Sequence, residues 1–345
     1  MAPFDAVRHL VGLQAQVPLD PYTALWSRLA SFEPASLAEL LERREAVRIV
    51  VMRGTIHLVT ASDCLRLRPL MQPILDAEFA RHRDAKELRG VDLRRALAFA
   101  SSFLAERPST GRELRAALAE RFPALDARAL GIACRCKLPL VQVPPRGIWG
   151  RSSQVVSTTA EAWLGAPLDS SPSIDEVVLR YLAAFGPATV ADVTTWCRLS
   201  GLREVVDRLR PQLRSFSDDA GRELFDLPDA PRPDPGVPAS VRYLPEYDNV
   251  LLSHADRSRF VPDGRRPTLG ASWRIGFGSV LHDGFVCGVW RLERPRGNGA
   301  AVLDVTLADR LPKRAVASVA AEGRRYLRFA AAGAETTDVH VVVSA

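Results

Sequence analysis

Two glutamines one residue apart, Gln14 and Gln16 in Leu13-Gln14-Ala15-Gln16-Val17-Pro18, are the first side chains of the sequence suited to chemistry. An amide oxygen can orient a water molecule or lie beside growing positive charge without ionising. An amide is too weak a base to generate hydroxide, so such a pair serves reactions whose leaving group departs unaided. Pro3 to Gln14 reads as a helix. Pro18 must terminate it, because the residue before a proline is pushed out of the α region. Residues two apart on a regular helix diverge by about 200°. The glutamines therefore meet at one site only if the helix end is distorted or extended; otherwise they are two ordinary exposed amides.

Further along, Met52-Arg53-Gly54-Thr55-Ile56-His57-Leu58-Val59 places Thr55 and His57 on one face of an expected strand, since side chains alternate there. His57 is a candidate donor to a phosphate or a base, and a hydrogen-bonded structural histidine is the competing reading. Leu244 to Arg259 gathers Asp248, Asn249, His254, Asp256, Arg257 and Arg259. No HxH or HExxH spacing there supports a metal, and none is expected. Ion-paired arginines in a folded loop, or arginines reaching phosphate, fit the segment better. The loop Pro144 to Arg151 interleaves Arg146, Trp149 and Arg151, the composition of a nucleic-acid-contacting turn or of a plain basic one. Five scattered cysteines without a CxxC, Cys64, Cys134, Cys136, Cys197 and Cys287, read as reduced core residues.

The elements that would position these residues recur three times. Each stretch runs from helices into a pair of short strands. Ser36 to Arg44 is helical before strands Val47 to Met52 and Thr55 to Thr60. Asp92 to Glu106, a helix capped at Ser109 or Thr110 and a helix starting at Asp126 precede strands Leu138 to Val143 and Gln154 to Thr158. Ile174 to Phe185, Thr189 to Cys197 and Leu202 to Leu209 precede strands Leu213 to Ser217 and Arg222 to Leu227. Helices followed by a β-hairpin form the winged-helix pattern, in which a recognition helix enters the major groove of DNA and the hairpin touches the backbone or minor groove. The expected organisation is α+β, with tandem winged-helix modules over 1–90, 91–168 and 169–228. A proline-rich linker, Pro228 to Pro238, leads to a small α+β C-terminal domain over 239–345. That domain carries a hairpin at His282-Asp283-Gly284 and an amphipathic helix from Lys313 to Ala331.

The 345 residues carry a formal net charge of +6, and only three of the 46 basic residues are lysines, Lys86, Lys137 and Lys313. A basic balance suits a phosphate-binding protein, because neutralising phosphates releases condensed counterions. No apolar run approaches the ~20 residues of a membrane span, and the N-terminus lacks a cationic signal opening. A cytoplasmic location is expected.

The string Leu10-Val11-Gly12-Leu13-Gln14-Ala15-Gln16-Val17-Pro18, the Met52 to Val59 segment and the Leu244 to Arg259 segment follow one another in an order that resembles the AlkZ/YcaQ superfamily of bacterial DNA glycosylases. The resemblance runs along nearly the whole chain. It implies three winged-helix modules in a C-shaped arrangement around double-stranded DNA, a monomer and no cofactor. It also implies about one more helix ahead of the motif than the 13 residues that precede Gln14 here. The family's glutamine–apolar–glutamine or glutamine–apolar–aspartate signature matches here as Gln14-Ala15-Gln16, which resembles the AlkZ-like branch. The implied activity is hydrolysis of the N-glycosidic bond of alkylated bases, N7-alkylguanine or N3-alkyladenine, with interstrand crosslinks as further substrates. Gln16 would then hold the water and Gln14 assist at the sugar. Arg53, Thr55, His57, Arg146, Arg151, Asn249, His254, Arg257 and Arg259 are the expected DNA contacts. With so few lysines to form a Schiff base, a monofunctional enzyme is expected. Two other readings share the modules: a winged-helix transcription regulator, and a catalytically inactive DNA-binding protein.

Overall fold

The computed structural model describes residues 1–262, 276–294 and 299–344 and divides the chain into two compact units. One comprises Met1–Leu19 and Ser31–Ala230, the other Asp20–Ala30 and Pro231–Ala345.

The first unit opens with α1 (Pro3–His9), shorter than the helix the sequence suggests. Val11 and Gly12 have positive φ, 53° and 99°. Gly12 N–H donates to the Val7 carbonyl and Val11 N–H to the Arg8 carbonyl, the double bond of a Schellman stop. That stop ordinarily announces itself by glycine in the left-handed position. Here a β-branched valine occupies it, against its steric preference, and so the signal is hidden in the sequence. A side chain on Gly12 would begin 2.7 Å from Val59 Cγ1, so the reversal is packed directly on the strand it precedes. Leu13–Gln14 then forms β1, not the end of a helix.

After α3 (Pro34–Glu42), β2 (Ala46–Val50) and β3 (Ile56–Thr60) make the first hairpin, followed by α4 (Ala61–Leu70) and α5 (Gln72–Arg81). The second repeat contributes α6 (Arg94–Glu106), β4 (Ser109–Thr110), α7 (Gly111–Arg121) and α8 (Ala127–Lys137). It ends in β5 (Leu140–Gln142) and β6 (Val156–Thr159), followed by the short α9 (Ala160–Leu164). Thr110 caps α7 with the reciprocal Glu113 bond of a capping box, and Asp126 caps α8, where the sequence places both helix starts.

The sequence reads the first two hairpins as separate wings. The structure joins them. Arg48 pairs with Gln142 and Ile49 with Val141, which gives one six-stranded sheet in the order β1-β3-β2-β5-β6-β4. The third repeat keeps its own hairpin. Here α10 (Ile174–Phe185), α11 (Val190–Cys197) and α12 (Leu202–Leu209) lead to β7 (Arg214–Ser217) and β8 (Glu223–Asp226), with a bridge from Ala188 to Phe225. One core, from Val11, Val47 and Val59 through Tyr181 and Trp196 to Phe225, packs the first sheet against the third set of helices.

In the second unit, β9 (Arg242–Leu244), β10 (Gly278–His282), β11 (Phe285–Glu293), β12 (Ala301–Leu307) and β13 (Thr337–Val343) form a five-stranded sheet under α14 (Lys313–Ala330). Sequence reasoning did not foresee α2 (Asp20–Trp26), which belongs to this unit. Trp26 stacks on Phe329 at 5.8 Å and meets Tyr326 edge-on at 5.1 Å, while Thr23 and Tyr326 share a 2.9 Å hydrogen bond. An excursion of eleven residues that docks by ring contacts leaves little trace in local periodicity.

Candidate active site

β1 is a strand, so the chain is extended at Gln14 rather than helical as it leads to Gln16. Gln14 stands opposite His57 in the antiparallel register, and Ala15 N–H extends the pairing to the Ile56 carbonyl. Beyond it the chain bends, and Gln16 Oε1 accepts from Ile56 N–H at 3.4 Å, a loose bond on an exposed side chain. Gln14 is buried.

Behind the glutamines lie two arginines. Arg48, only 1% exposed in the middle of β2, donates from Nη2 to the Ala15 carbonyl at 2.9 Å and from Nε and Nη2 to Gln142 Oε1 at 3.3 and 3.1 Å. Its Nη1 reaches the Pro18 carbonyl at 3.4 Å. Arg48 thus ties the backbone between and beyond the glutamines to β5. Gly147, at φ 88°, lies against it so closely that a Cβ would fall 2.8 Å from Arg48 Cδ. Sequence reasoning missed Arg48. The available signal was a cation interrupting an otherwise apolar strand, since a buried guanidinium must have acceptors waiting for it.

Arg53, itself in the left-handed region at φ 59°, donates to Gln14 Oε1 at 2.8 Å, His57 Nε2 at 3.1 Å and the Trp196 carbonyl at 2.7 Å near the end of α11. Burial lowers its pKa to about 10, so it remains a cation at neutral pH. His57 is 1% exposed, with Nδ1 3.0 Å from the Thr55 carbonyl. A carbonyl only accepts, so Nδ1 carries the proton and Nε2 accepts from Arg53. Burial first, and the Arg53 cation second, push the imidazole down to about 3. The expected donation from His57 to a phosphate or base is therefore not available: the ring is enclosed, neutral and engaged at both nitrogens. Thr55 does not join it on a strand face but closes the Arg53-Gly54 turn, its hydroxyl donating to the Met52 carbonyl.

Gln16 also lines a cavity of about 1050 Å³. Its walls include Arg112 and Arg115 of α7, Arg128 and Arg135 of α8, and Gln142. Arg135 is held by Glu78 at 2.7 Å and Arg128 lies 3.9 Å from Asp84.

The other expected contacts are spread more widely. Arg146, half-buried, donates to the Ser153 carbonyl inside its own loop, and Arg151 is exposed, 4.0 Å from Glu42. In the second unit Asn249 and His254 are buried, against their expected contact with DNA. Asn249 begins the short α13 (Asn249–Leu252), and the His254 ring packs on Phe260 at 5.6 Å. Arg257 is half-buried, and Arg259 is exposed with Nη1 3.4 Å from His254 Nε2.

Asp248, which sequence reasoning grouped with these, holds Arg28 in a bidentate pair at 2.8 and 2.7 Å with its carboxylate fully enclosed. Removing one member of a buried pair strands the other charge, at a cost of about 3 kcal/mol or more. Arg28→Met is therefore expected to lower the unfolding midpoint in denaturant markedly, and an unchanged midpoint would show that the pair does not hold α2 in place.

A basic protein of helix–hairpin units, with Gln14 on a sheet edge and Gln16 lining an arginine-walled cavity, is of the class that handles nucleic acid. The family model for AlkZ-like DNA glycosylases matches residues 7–329, and the chain belongs to that family. An interstrand DNA cross-link repair glycosylase of Streptomyces sahachiroi is 27% identical over 193 residues, 51% of this chain and 49% of that protein. The chain thus matches about half the length of this curated relative. The solved structure of Streptomyces sahachiroi DNA glycosylase AlkZ superposes with a TM-score of 0.73 at 24% identity, over 99% of this chain and 94% of the other, a likeness of fold.

Proposed function

We propose that this protein is a monofunctional DNA glycosylase that hydrolyses the N-glycosidic bond of alkylated purines in duplex DNA, N7-alkylguanine and N3-alkyladenine foremost. The observation that carries this reading is the placement of Gln14 on the edge strand β1 with Gln16 just beyond its end, the first backed by Arg53 and the second opening on the basic cavity. Membership of the family supports it further. Among known relatives, one is a cross-link repair glycosylase, and guanines crosslinked through N7 fall within the same chemistry.

Alkylation at N7 makes the base cationic, so it departs neutral without an acid. The protein's work is to hold water at the anomeric carbon and to stabilise an oxocarbenium-like transition state. Gln16, exposed and only loosely bonded to Ile56, is the residue free to orient that water. His57 is neutral and enclosed, and Asp248 is locked by Arg28, so neither serves as the acid that a neutral base would require. None of Lys86, Lys137 and Lys313 lines the cavity that Gln16 enters, and Lys137 is committed to Asp76; water, not an amine, is the nucleophile.

The three helix–hairpin repeats act as winged-helix modules over 1–90, 91–168 and 169–228, the remaining 239–345 forming the C-terminal domain. Arg151, Arg257 and Arg259, together with Arg112 and Arg115 of the cavity wall, meet phosphates. Arg146, Thr55, Asn249 and His254 shape the loops that carry such contacts. Five buried cysteines, none of them in a disulfide, support work in the reducing cytoplasm, and three modules in one chain support a monomer. Affinity for random duplex should fall with salt at a logarithmic slope of about −0.9 per phosphate neutralised, measured by fluorescence anisotropy. A flat response would remove every reading that includes DNA.

A further inference from the structure

The hydrogen bonds behind Gln14 each run in one direction only. A guanidinium has donors and no acceptor, so the group of Gln14 that meets Arg53 at 2.8 Å is the amide oxygen. Arg53 cannot easily turn away, because it also donates to the Trp196 carbonyl and His57 Nε2. His57 in turn is fixed by the Thr55 carbonyl at Nδ1. The amide nitrogen of Gln14 consequently faces the other way. It makes no hydrogen bond among the described residues, and the residue keeps 7% of its surface accessible.

We infer that Gln14 works on the DNA as a hydrogen-bond donor, its amide nitrogen serving an acceptor atom of the departing purine, and that Arg53 is the positioning residue that fixes this orientation. The inference rests on the glycosylase reading above. It differs from assistance at the sugar, where the useful group would be the amide oxygen that Arg53 already occupies.

The charge flow favours the base as recipient. As the C1′–N9 bond breaks, its electron pair goes to N9, while a water oxygen bonds to C1′ and releases its proton to solvent. The ring nitrogens and carbonyl oxygen of the purine become more electron-rich as the pair arrives. A donor aimed at them is stronger in the transition state than in the bound substrate, the condition for raising a rate. The Arg53 cation behind the amide polarises its N–H bonds in the same sense.

The test is single-turnover release of N7-methylguanine from a duplex carrying one lesion, with the dissociation constant of the same duplex measured alongside. Gln14→Glu keeps the size of the side chain and its partnership with Arg53 but presents only acceptors. Its rate is expected to fall by about 10²-fold, as far as that of Gln14→Ala. A Gln14→Glu rate near that of the unaltered protein, with Gln14→Ala inactive, would overturn the donor assignment and leave the glutamine site standing. A fully active Gln14→Ala would instead overturn the site reading itself. Arg53→Met should lower the rate by about tenfold with the dissociation constant nearly unchanged, and Arg53→Lys, which restores one donor, should recover most of that loss. An undiminished rate in Arg53→Met, or a loss confined to affinity, would remove Arg53 from this role. Should Arg53→Met fold poorly, Gln14→Glu decides the donor question by itself.

Discussion

Gln16→Ala is expected to release N7-methylguanine from a single-lesion duplex at least about 10²-fold more slowly than the unaltered protein, the loss typical when one pre-organised transition-state contact is removed. Gln16 is exposed and its one internal bond is long, so alanine removes a group that meets water and substrate while little of the fold depends on it. Duplex affinity and the unfolding midpoint should therefore change little. The double variant with Gln14→Ala should lose less than the product of the single losses, since two groups serving one transition state are not additive. The rate of the unaltered protein should also be flat from about pH 5 to 8, because no acid or base titrates in the step. His57 is neutral above about 3 and Arg53 charged below about 10, so neither changes state in that window. A double variant that retained full activity would dissociate the glutamines from catalysis.

Substrate choice should be still more one-sided. On a panel of single-lesion duplexes under identical conditions, N7-methylguanine and N3-methyladenine should be excised, with bulky N7 adducts following. Uracil, 8-oxoguanine and undamaged DNA should give no detectable release. The expectation follows from leaving-group chemistry. A cationic purine needs no protonation, whereas a neutral base departs only with an acid, and among the described residues no carboxylate or imidazole is hydrogen-bonded to either glutamine. His57 is an imidazole whose proton is held on the Thr55 carbonyl and whose other nitrogen accepts from a cation. Equal excision of uracil and N7-methylguanine would mean that some other group protonates the base, and the leaving-group account would fail.

Much of the architecture was legible in the residues. The third repeat could be delimited from its caps, turn and periodicity because each signal is local: Ser173 and Thr189 cap their helices, and Asp218 to Gly221 turn the hairpin. The capping box at Thr110 and the cap at Asp126 were legible for the same reason. The Gln14-Ala15-Gln16 motif was visible as a pair of amides with an apolar residue between them.

Only the tertiary structure decided what those amides can do. The sequence suggests a helix through Gln14; packing of Gly12 on Val59, with Val11 forced into the left-handed region, turns the segment into an edge strand. In the sequence Arg48 is one cation within an apolar strand, and Arg53 an expected DNA contact. Their acceptors, the Ala15, Pro18 and Trp196 carbonyls and the side chains of Gln14, Gln142 and His57, come from segments up to 143 residues away. Asp248 found its partner 220 residues upstream, in the turn after α2, a segment that no local signal assigned to its domain. Periodicity, caps and turns report the neighbours a residue has along the chain. The partner of a buried charge is chosen by the cost of leaving it unpaired, and that cost is set where distant segments pack together.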